Sequence, residues 1–413
     1  MRKVASDTAT HVLSDASKVL ALIENGEQSL DDALDSSLTY PELRRTVSSL
    51  LFFYFRRKKL IDRWITSLAA RPPRPRLRRL LSIVLTQIRC QSKIAPESAV
   101  NVAVDLVKAE GKLNESKFVN AVLRRAVTDM PELADAPDEV LPNALLKKWR
   151  KTFSAEEIAQ MCRAFLVPAG FTFRAEHGFE PPEEWQLRQI PNCGDYRFFE
   201  SSAPGVVLES EALKHGKIYI QDPATALAPS LPDMTNVKSV LDVCAAPGGK
   251  ALLLSERMRA DAVLVAADRS ARRQKYTREN FRCRGLAFQV VVAEARELTG
   301  SFDLVFADVP CSNTGVFRHR PDAVWRFNES EQKRITALQY EILESAAELV
   351  APNGQLIYST CSVEPEENAG QIERFIARHS EFEIVAQKQL LPGIEHDGAY
   401  ACLLKRRAKS IRK

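Results

Sequence analysis

No apolar run in the 413 residues approaches the roughly 20 that a membrane helix requires. The opening MRKVASDTATHVLSDASKVL has no continuous apolar stretch of signal-peptide length. A soluble, cytoplasmic protein with no membrane partner is therefore expected. Eight cysteines (Cys90, Cys162, Cys193, Cys244, Cys283, Cys311, Cys361 and Cys402) form no C-x-x-C pair and lie scattered, unlike a disulfide framework. The six histidines do not cluster with them, so no metal site is expected and the thiols read as reduced. No internal repeat or low-complexity tract is evident. An excess of one charge is also lacking: 58 basic against 53 acidic residues leave a formal net charge of +5. That favours a polyanionic partner only weakly, and the distribution of charge has to decide.

With 45% hydrophobic and 27% charged residues the composition is that of a globular protein, and the length argues for two or three domains. Residues 1–130 read as helices throughout, with apolar residues at helical spacing in HVLSDASKVLALI, LRRTVSSLLFFYF, LRRLLSIVLTQI and AVNVAVDLV. Pro41 and Pro96 stand where helices can begin. Between Arg56 and Arg79 ten Lys/Arg face one acid, Asp62. Such a run is either a solvated face or a footprint for a phosphate backbone, with Arg56, Arg57, Lys58 and Lys59 as its densest part. Residues 131–165 read as a Pro- and Asp-rich linker followed by a helix. Residues 166–236, punctuated by Pro and Gly, read as a small connector of short strands.

From Val237 to the end the pattern changes to alternating strands and helices. Candidate strands are 239–243, 263–267, 288–292, 302–307, 354–359, 382–386 and 399–404, with helices between most of the first five. That predicts a mostly parallel, seven-stranded sheet covered on both faces. The short gap between the last two favours an antiparallel hairpin. This is the layout of a Rossmann-like methyltransferase domain.

Ligands of such sheets bind beyond the carboxyl ends of the strands. There the first strand runs into CAAPGGK (Cys244, Ala245, Ala246, Pro247, Gly248, Gly249 and Lys250), whose glycines permit close backbone approach. Asp268, nineteen residues after Gly249, stands where a carboxylate bonds ribose hydroxyls. Neither G-x-G-x-x-G nor a P-loop is present, which disfavours a dinucleotide or a nucleoside triphosphate. FDLVFADVPCSNTG puts Asp308 and Cys311 just past the fourth strand, and GQLIYSTCSVEPEEN puts Cys361 just past the fifth. Both thiols therefore emerge at the edge where the glycine loop lies. A buried cysteine is normally a small hydrophobe, which suits Cys90, Cys162 and Cys402 but not these two.

The strings LDVCAAPGGK, ADVPCSNTGVFRHRPDAVWR and YSTCSVEPEEN, in this order, resemble the signature blocks of the Sun family of RNA cytosine-5 methyltransferases, and the likeness runs from about Lys217 to the end. Upstream, LRRLLSIVLTQIRCQSKIAPESAVNVAVDLVKAEGKLNESKFVNAVLRRA resembles a NusB-like helical RNA-binding domain, here 1–130, ahead of the 166–236 connector and a 237–413 methyltransferase domain. The resemblance implies S-adenosylmethionine as cofactor and RNA as partner, with small-subunit (16S) ribosomal RNA the substrate of members built this way, and a monomeric enzyme. It implies Cys361 as the nucleophile that adds to carbon 6 of cytosine. Cys311 would assist product release and Asp308 contact the target base. Cofactor contacts carry over to residues 244–250, Asp268 and Asp308, and to an acidic position after the third strand that is Glu294 here instead of the usual Asp. RHRPDAVWR offers Arg318, Arg320 and Arg326 to phosphates, with Trp325 for packing or stacking. Three alternatives stand beside this reading. Transfer RNA is one substrate alternative. A DNA cytosine-5 methyltransferase would use Cys311 as nucleophile and carry a large target-recognition insertion that is absent here. A non-catalytic antitermination factor built on the helical domain would not need both cysteines and the full cofactor loop.

Overall fold

The computed structural model describes residues 2–26, 28–91, 94–133 and 135–408, so Ala134 of the expected linker and the last five residues lie outside it. The chain forms two compact units. The first takes the described residues up to Val167 together with Phe317–Phe327, and the second takes Pro168–Val316 and the described residues from Asn328 on.

The first unit is all helical. Helices Arg2–Glu24, Leu30–Ser37, Arg44–Arg56, Lys58–Leu68, Pro75–Cys90, Pro96–Ala109 and Leu113–Thr128 are followed by the short Pro137–Val140 and Asn143–Trp149 and by Ala155–Leu166. Pro75 and Pro96 open their helices, where a missing amide proton sacrifices no intrahelical bond. Helix Pro75–Cys90 is buried without a break from Leu80 to Ile88, polar Ser82, Thr86 and Gln87 included, so it is covered on all sides within this core.

The expected helix at the end of 131–165 is Ala155–Leu166, but the stretch before it, expected as a linker, is partly helical and buried. Val140, Leu141, Leu145, Leu146 and Trp149 are buried, and Pro137 and Ser154 serve as helix starts, Ser154 in a reciprocal capping box with Glu157. Segment 317–327, expected within the methyltransferase domain, packs instead into this unit. Phe317 stacks on Trp149 at 6.1 Å, Trp325 Nε1 donates to Phe55 O at 2.8 Å, and Asp322 accepts from Leu30 N at 3.1 Å.

The second unit holds two sheets. A four-stranded antiparallel sheet, order β2-β3-β1-β4, is made from β1 (Phe171–Ala175), β2 (Leu187–Ile190), β3 (Arg197–Ser201) and β4 (Ile218–Ile220) around Phe173, Trp185 and Phe199. The larger sheet has seven strands: β5 (Ser239–Asp242), β6 (Val263–Asp268), β7 (Gln289–Val292), β8 (Phe302–Asp308), β9 (Val350–Thr360), β10 (Phe382–Leu390) and β11 (Ala399–Arg406). Their order is β10-β11-β9-β8-β5-β6-β7, parallel from β9 to β7, with β11 antiparallel to both β9 and β10. Because successive side chains point to opposite faces, Leu241, Val305 and Leu356 join one core with helices Glu329–Glu348 and Ala369–Ile376. Val240, Leu304 and Ile357 join the other with Ala251, Leu252 and Phe281. Chain order reverses at β5, which lies between β8 and β6, and this is the switch point at which such sheets bind ligands. Among the described residues no helix is long and apolar enough to cross a membrane.

Candidate active site

The loop after β5 is shaped by its glycines. Gly248 has φ of +102°, and a Cβ there would stand 3.2 Å from Thr277 Cγ2; one on Gly249 would meet Gln221 and Tyr219 at 3.0 Å. Gly248 thus takes a backbone conformation that side chains rarely adopt, and at both positions an added Cβ would crowd neighbouring side chains. Asp268, at the end of β6 and 5% exposed, accepts Ala246 N at 3.2 Å and Ser270 N at 2.8 Å. Each oxygen thus keeps a lone pair for a ribose hydroxyl. This set fits a nucleoside cofactor. Glu294 follows β7 as expected, but its carboxylate caps the turn Ala295–Glu297 and pairs with Arg296 at 2.7 Å.

The second cluster lies past β8 and β9. Lys250 Nζ donates to Asp308 Oδ1, and Ser359 Oγ donates to the same oxygen at 2.8 Å. Burial alone pulls the Lys250 ammonium down, yet the Asp308 carboxylate beside it holds the group above its ordinary value and therefore charged. Asp242, fully buried and next to the Asp308 charge, is pushed up to about 8. Burial and the Asp242 carboxyl likewise push the Cys244 thiol well up, so it stays neutral.

Cys311 Sγ and Cys361 Sγ are 3.0 Å apart and both thiols are free. Cys361 Sγ donates to Asn313 Oδ1 at 3.2 Å, while Asn313 Nδ2 donates to Cys311 O at 3.2 Å, which fixes the amide so that its oxygen faces the thiol. The hydrogen bond to Cys361 and then burial push the Cys311 thiol well above its usual range. Cys311 therefore keeps its proton and can donate it to sulfur on Cys361. Gly315, whose added Cβ would meet Cys361 O at 2.5 Å, lets the two loops approach and donates its N–H to that carbonyl at 2.9 Å.

One residue that the sequence reading missed ties these loops together. Glu367 is 0% exposed, and its carboxylate accepts Ser312 N at 2.9 Å, Ser362 Oγ at 3.0 Å, Gln339 Nε2 at 3.0 Å and Ser312 Oγ. It bridges the Cys311 loop to the Cys361 loop with no ion-pair partner among the described residues. The string EPEEN was visible in the sequence. Three acids in five residues suggest a solvated surface, so nothing in it marked Glu367 as buried.

The expected phosphate contacts fare differently. Arg56 is 4% exposed and donates to Phe165 O at 3.1 Å and Arg318 O at 2.6 Å, and burial lowers its guanidinium to about 10. Arg318 is also 4% exposed. Both are parts of the helical scaffold, which corrects their expected place on an RNA-facing surface: a guanidinium inside a core is held by the carbonyls it satisfies. Arg57 is half-buried; Lys58 pairs with Asp62 at 2.5 Å, and Lys59 donates to Asp138 O at 2.7 Å and Asn143 at 2.6 Å. Arg326 pairs with Asp322 at 2.9 Å, and Arg320 is exposed. Most of the remaining basic run is paired as well, Arg63 with Glu139, Arg76 with Glu110 and Glu115, Arg78 with Asp62 and Arg79 with Glu24.

A seven-stranded Rossmann-like sheet carrying a glycine loop and an acidic strand end at its switch point defines an S-adenosylmethionine-dependent methyltransferase. Residues 224–399 match the family model described as 16S rRNA methyltransferase RsmB/F, and residues 1–128 match that of the NusB family. The chain belongs to the RsmB/F methyltransferase family. It is 30% identical to the ribosomal RNA small subunit methyltransferase B of Xanthomonas campestris over 94% of this chain and 96% of that one. To the probable ribosomal RNA small subunit methyltransferase B of Bacillus subtilis it is 27% identical over 86% of this chain and 84% of that one. A solved methyltransferase homolog protein from Pyrococcus horikoshii shares the fold, with a TM-score of 0.52 and 24% identity over 64% of this chain and all of that one.

Proposed function

We propose that the protein methylates cytosine at carbon 5 in 16S ribosomal RNA through a covalent bond to Cys361. The observation that carries this reading is the pair of free thiols 3.0 Å apart, poised past adjacent strands beside Lys250 and Asp308. Carbon 5 of cytosine is a poor nucleophile. Addition of the Cys361 thiolate at carbon 6 converts the ring to an enamine-like nucleophile, which splits one difficult step into easier ones. Residues 244–250, Asp268 and Asp308, with Glu294 as a further acidic contact, would hold S-adenosylmethionine, which when bound would supply an electrophilic methyl group. Once the Cys361 proton has left to water, Cys311 donates a hydrogen bond that steadies the thiolate before attack. Asp308, oriented by Lys250 and Ser359, contacts the target base and stabilises the ring as charge develops. After methyl transfer the carbon 5 proton leaves to water, its bonding pair re-forms the carbon 5–carbon 6 double bond and expels Cys361 as thiolate, and the protonated Cys311 assists by donating its hydrogen bond to the departing sulfur. The target must be unpaired or flipped, because carbon 6 inside a stack is beyond the reach of a thiolate.

The test is methyl transfer to unmodified 16S ribosomal RNA, transfer RNA and DNA in parallel, with the product mapped by bisulfite sequencing. One protected cytosine in the ribosomal transcript is expected. Transfer confined to DNA, or to another atom of the RNA, would overturn the reading.

A further inference from the structure

With the basic run 56–79 largely paired within its own unit, the free positive charge of the second unit is concentrated elsewhere. We propose that the outer face of helix Ala271–Arg282, together with Arg269, is a track for the RNA phosphate backbone; this rests on the RNA-substrate reading above. The helix, ARRQKYTRENFR, carries five Lys/Arg against the single acid Glu279. Gln274, Thr277 and Phe281 turn inward: Gln274 Nε2 bonds Ala266 O at 3.1 Å and Val291 O at 2.9 Å, and Phe281 meets Phe288 edge-on at 5.4 Å. That anchoring fixes which face looks out. Lys275, Arg278 and Arg282, spaced i, i+3 and i+7, form one exposed stripe, flanked by Arg272 and by Tyr276, which is 54% exposed.

Among the described residues Arg269, Arg272, Lys275, Arg278 and Arg282 have no carboxylate within ion-pair distance; only Arg273 does, to Asp268 at 3.6 Å. A face that is merely solvated gains from interleaved acids, whereas like charges three and four residues apart repel by a few tenths of a kcal/mol per pair. A rigid helix that keeps such a stripe is built for an external anion.

Its location agrees. Arg273 donates to Ala246 O and Asn280 Nδ2 to Pro247 O at 2.9 Å, so the helix is fastened to the cofactor loop. From Arg272 to Arg282 the helix runs about 15 Å at 1.5 Å per residue. At its far end Arg278 and Arg282 line an open hollow of about 450 Å3 together with Gly285, Leu286 and Phe288. Two guanidinium groups at its rim suit a phosphate.

The experiment measures binding of a 16S ribosomal RNA fragment by the full chain across a salt series, for wild type and for the triple variant Lys275→Gln, Arg278→Gln and Arg282→Gln. Loss of three phosphate contacts should flatten the slope of log K against log salt by about 2–3, with cofactor affinity unchanged by calorimetry. An unchanged slope in a variant that binds cofactor normally overturns the track and leaves the RNA reading standing. Absence of salt-dependent RNA binding by wild type overturns both. Ultraviolet cross-linking of wild-type protein to the same RNA gives an answer even if the variant fails to fold. A cross-linked peptide containing Tyr276 supports the track, and cross-links confined to other peptides contradict it.

Discussion

Replacing Glu367 by alanine removes the acceptor of four hydrogen bonds at once, and the structure indicates what each donor can do next. Ser312 Oγ and Ser362 Oγ lie 3.2 Å apart and can satisfy one another, and Gln339 Nε2 still has Pro310 O at 3.0 Å. Ser312 N and one Gln339 proton are left without partners. Each unsatisfied buried donor costs about 1–3 kcal/mol, and with the small cavity the total is about 3–6 kcal/mol. Glu367→Gln keeps the shape. Its amide nitrogen can face the two serine hydroxyls while its oxygen still accepts Ser312 N and Gln339, so weakening of the charge-assisted bonds costs only about 1–2 kcal/mol. Because Glu367 joins the two cysteine loops, the alanine variant should lose kcat far more than cofactor affinity, and the glutamine variant should recover much of it. Urea denaturation, isothermal calorimetry with S-adenosylmethionine and methyl-transfer kinetics measure the three quantities. An alanine variant within 1 kcal/mol of wild type (a threshold set by the low end of one unsatisfied donor) with unchanged kcat would refute the bridging role.

Three further outcomes follow from the same geometry. Asp268→Ala should weaken S-adenosylmethionine binding by about 1.5–3 kcal/mol through loss of charge-assisted hydrogen bonds, and equal affinity in a folded variant takes Asp268 out of the site. Asp242 is raised to about 8 in the folded chain from an ordinary 3.8, so the folded state binds the extra proton between those values. Stability contributed by that proton is present at low pH and is lost as pH rises from about 4 through 8, and Asp242→Asn should flatten this segment of a urea-midpoint profile. Arg56→Met should strand Phe165 O and Arg318 O and lower stability by about 2–5 kcal/mol while leaving the salt dependence of RNA binding unchanged; a flattened slope in a stable variant would return Arg56 to the RNA surface.

The strands of the large sheet were legible because a parallel sheet needs short, continuous apolar runs, and all seven expected runs are strands, with the terminal pair antiparallel. Once the strands are placed, the loops carrying Cys311 and Cys361 must share an edge, so their approach to 3.0 Å follows from topology. Other features depend on tertiary burial, which local composition does not report. Residues 131–145 look like a linker because Pro and Asp begin helices as readily as they break them, yet Val140, Leu141 and Leu145 are buried. Arg56 and Arg318 look like surface cations because a guanidinium is normally solvated, and only the facing carbonyls reveal otherwise. The charge on helix Ala271–Arg282 formed no part of the sequence reading, and its significance appears only when the competing basic run is seen to be paired.

The division of labour between the two thiols can be read directly from a covalent adduct. Radiolabelled ribosomal RNA incubated with S-adenosylmethionine and each variant is resolved by denaturing electrophoresis. Cys311→Ala should form the bond through Cys361 and fail to break it, accumulating a protein–RNA adduct. Cys361→Ala and the double variant should show none while still binding cofactor. An adduct that persists in Cys361→Ala and vanishes in Cys311→Ala would contradict the assignment of Cys361 as nucleophile.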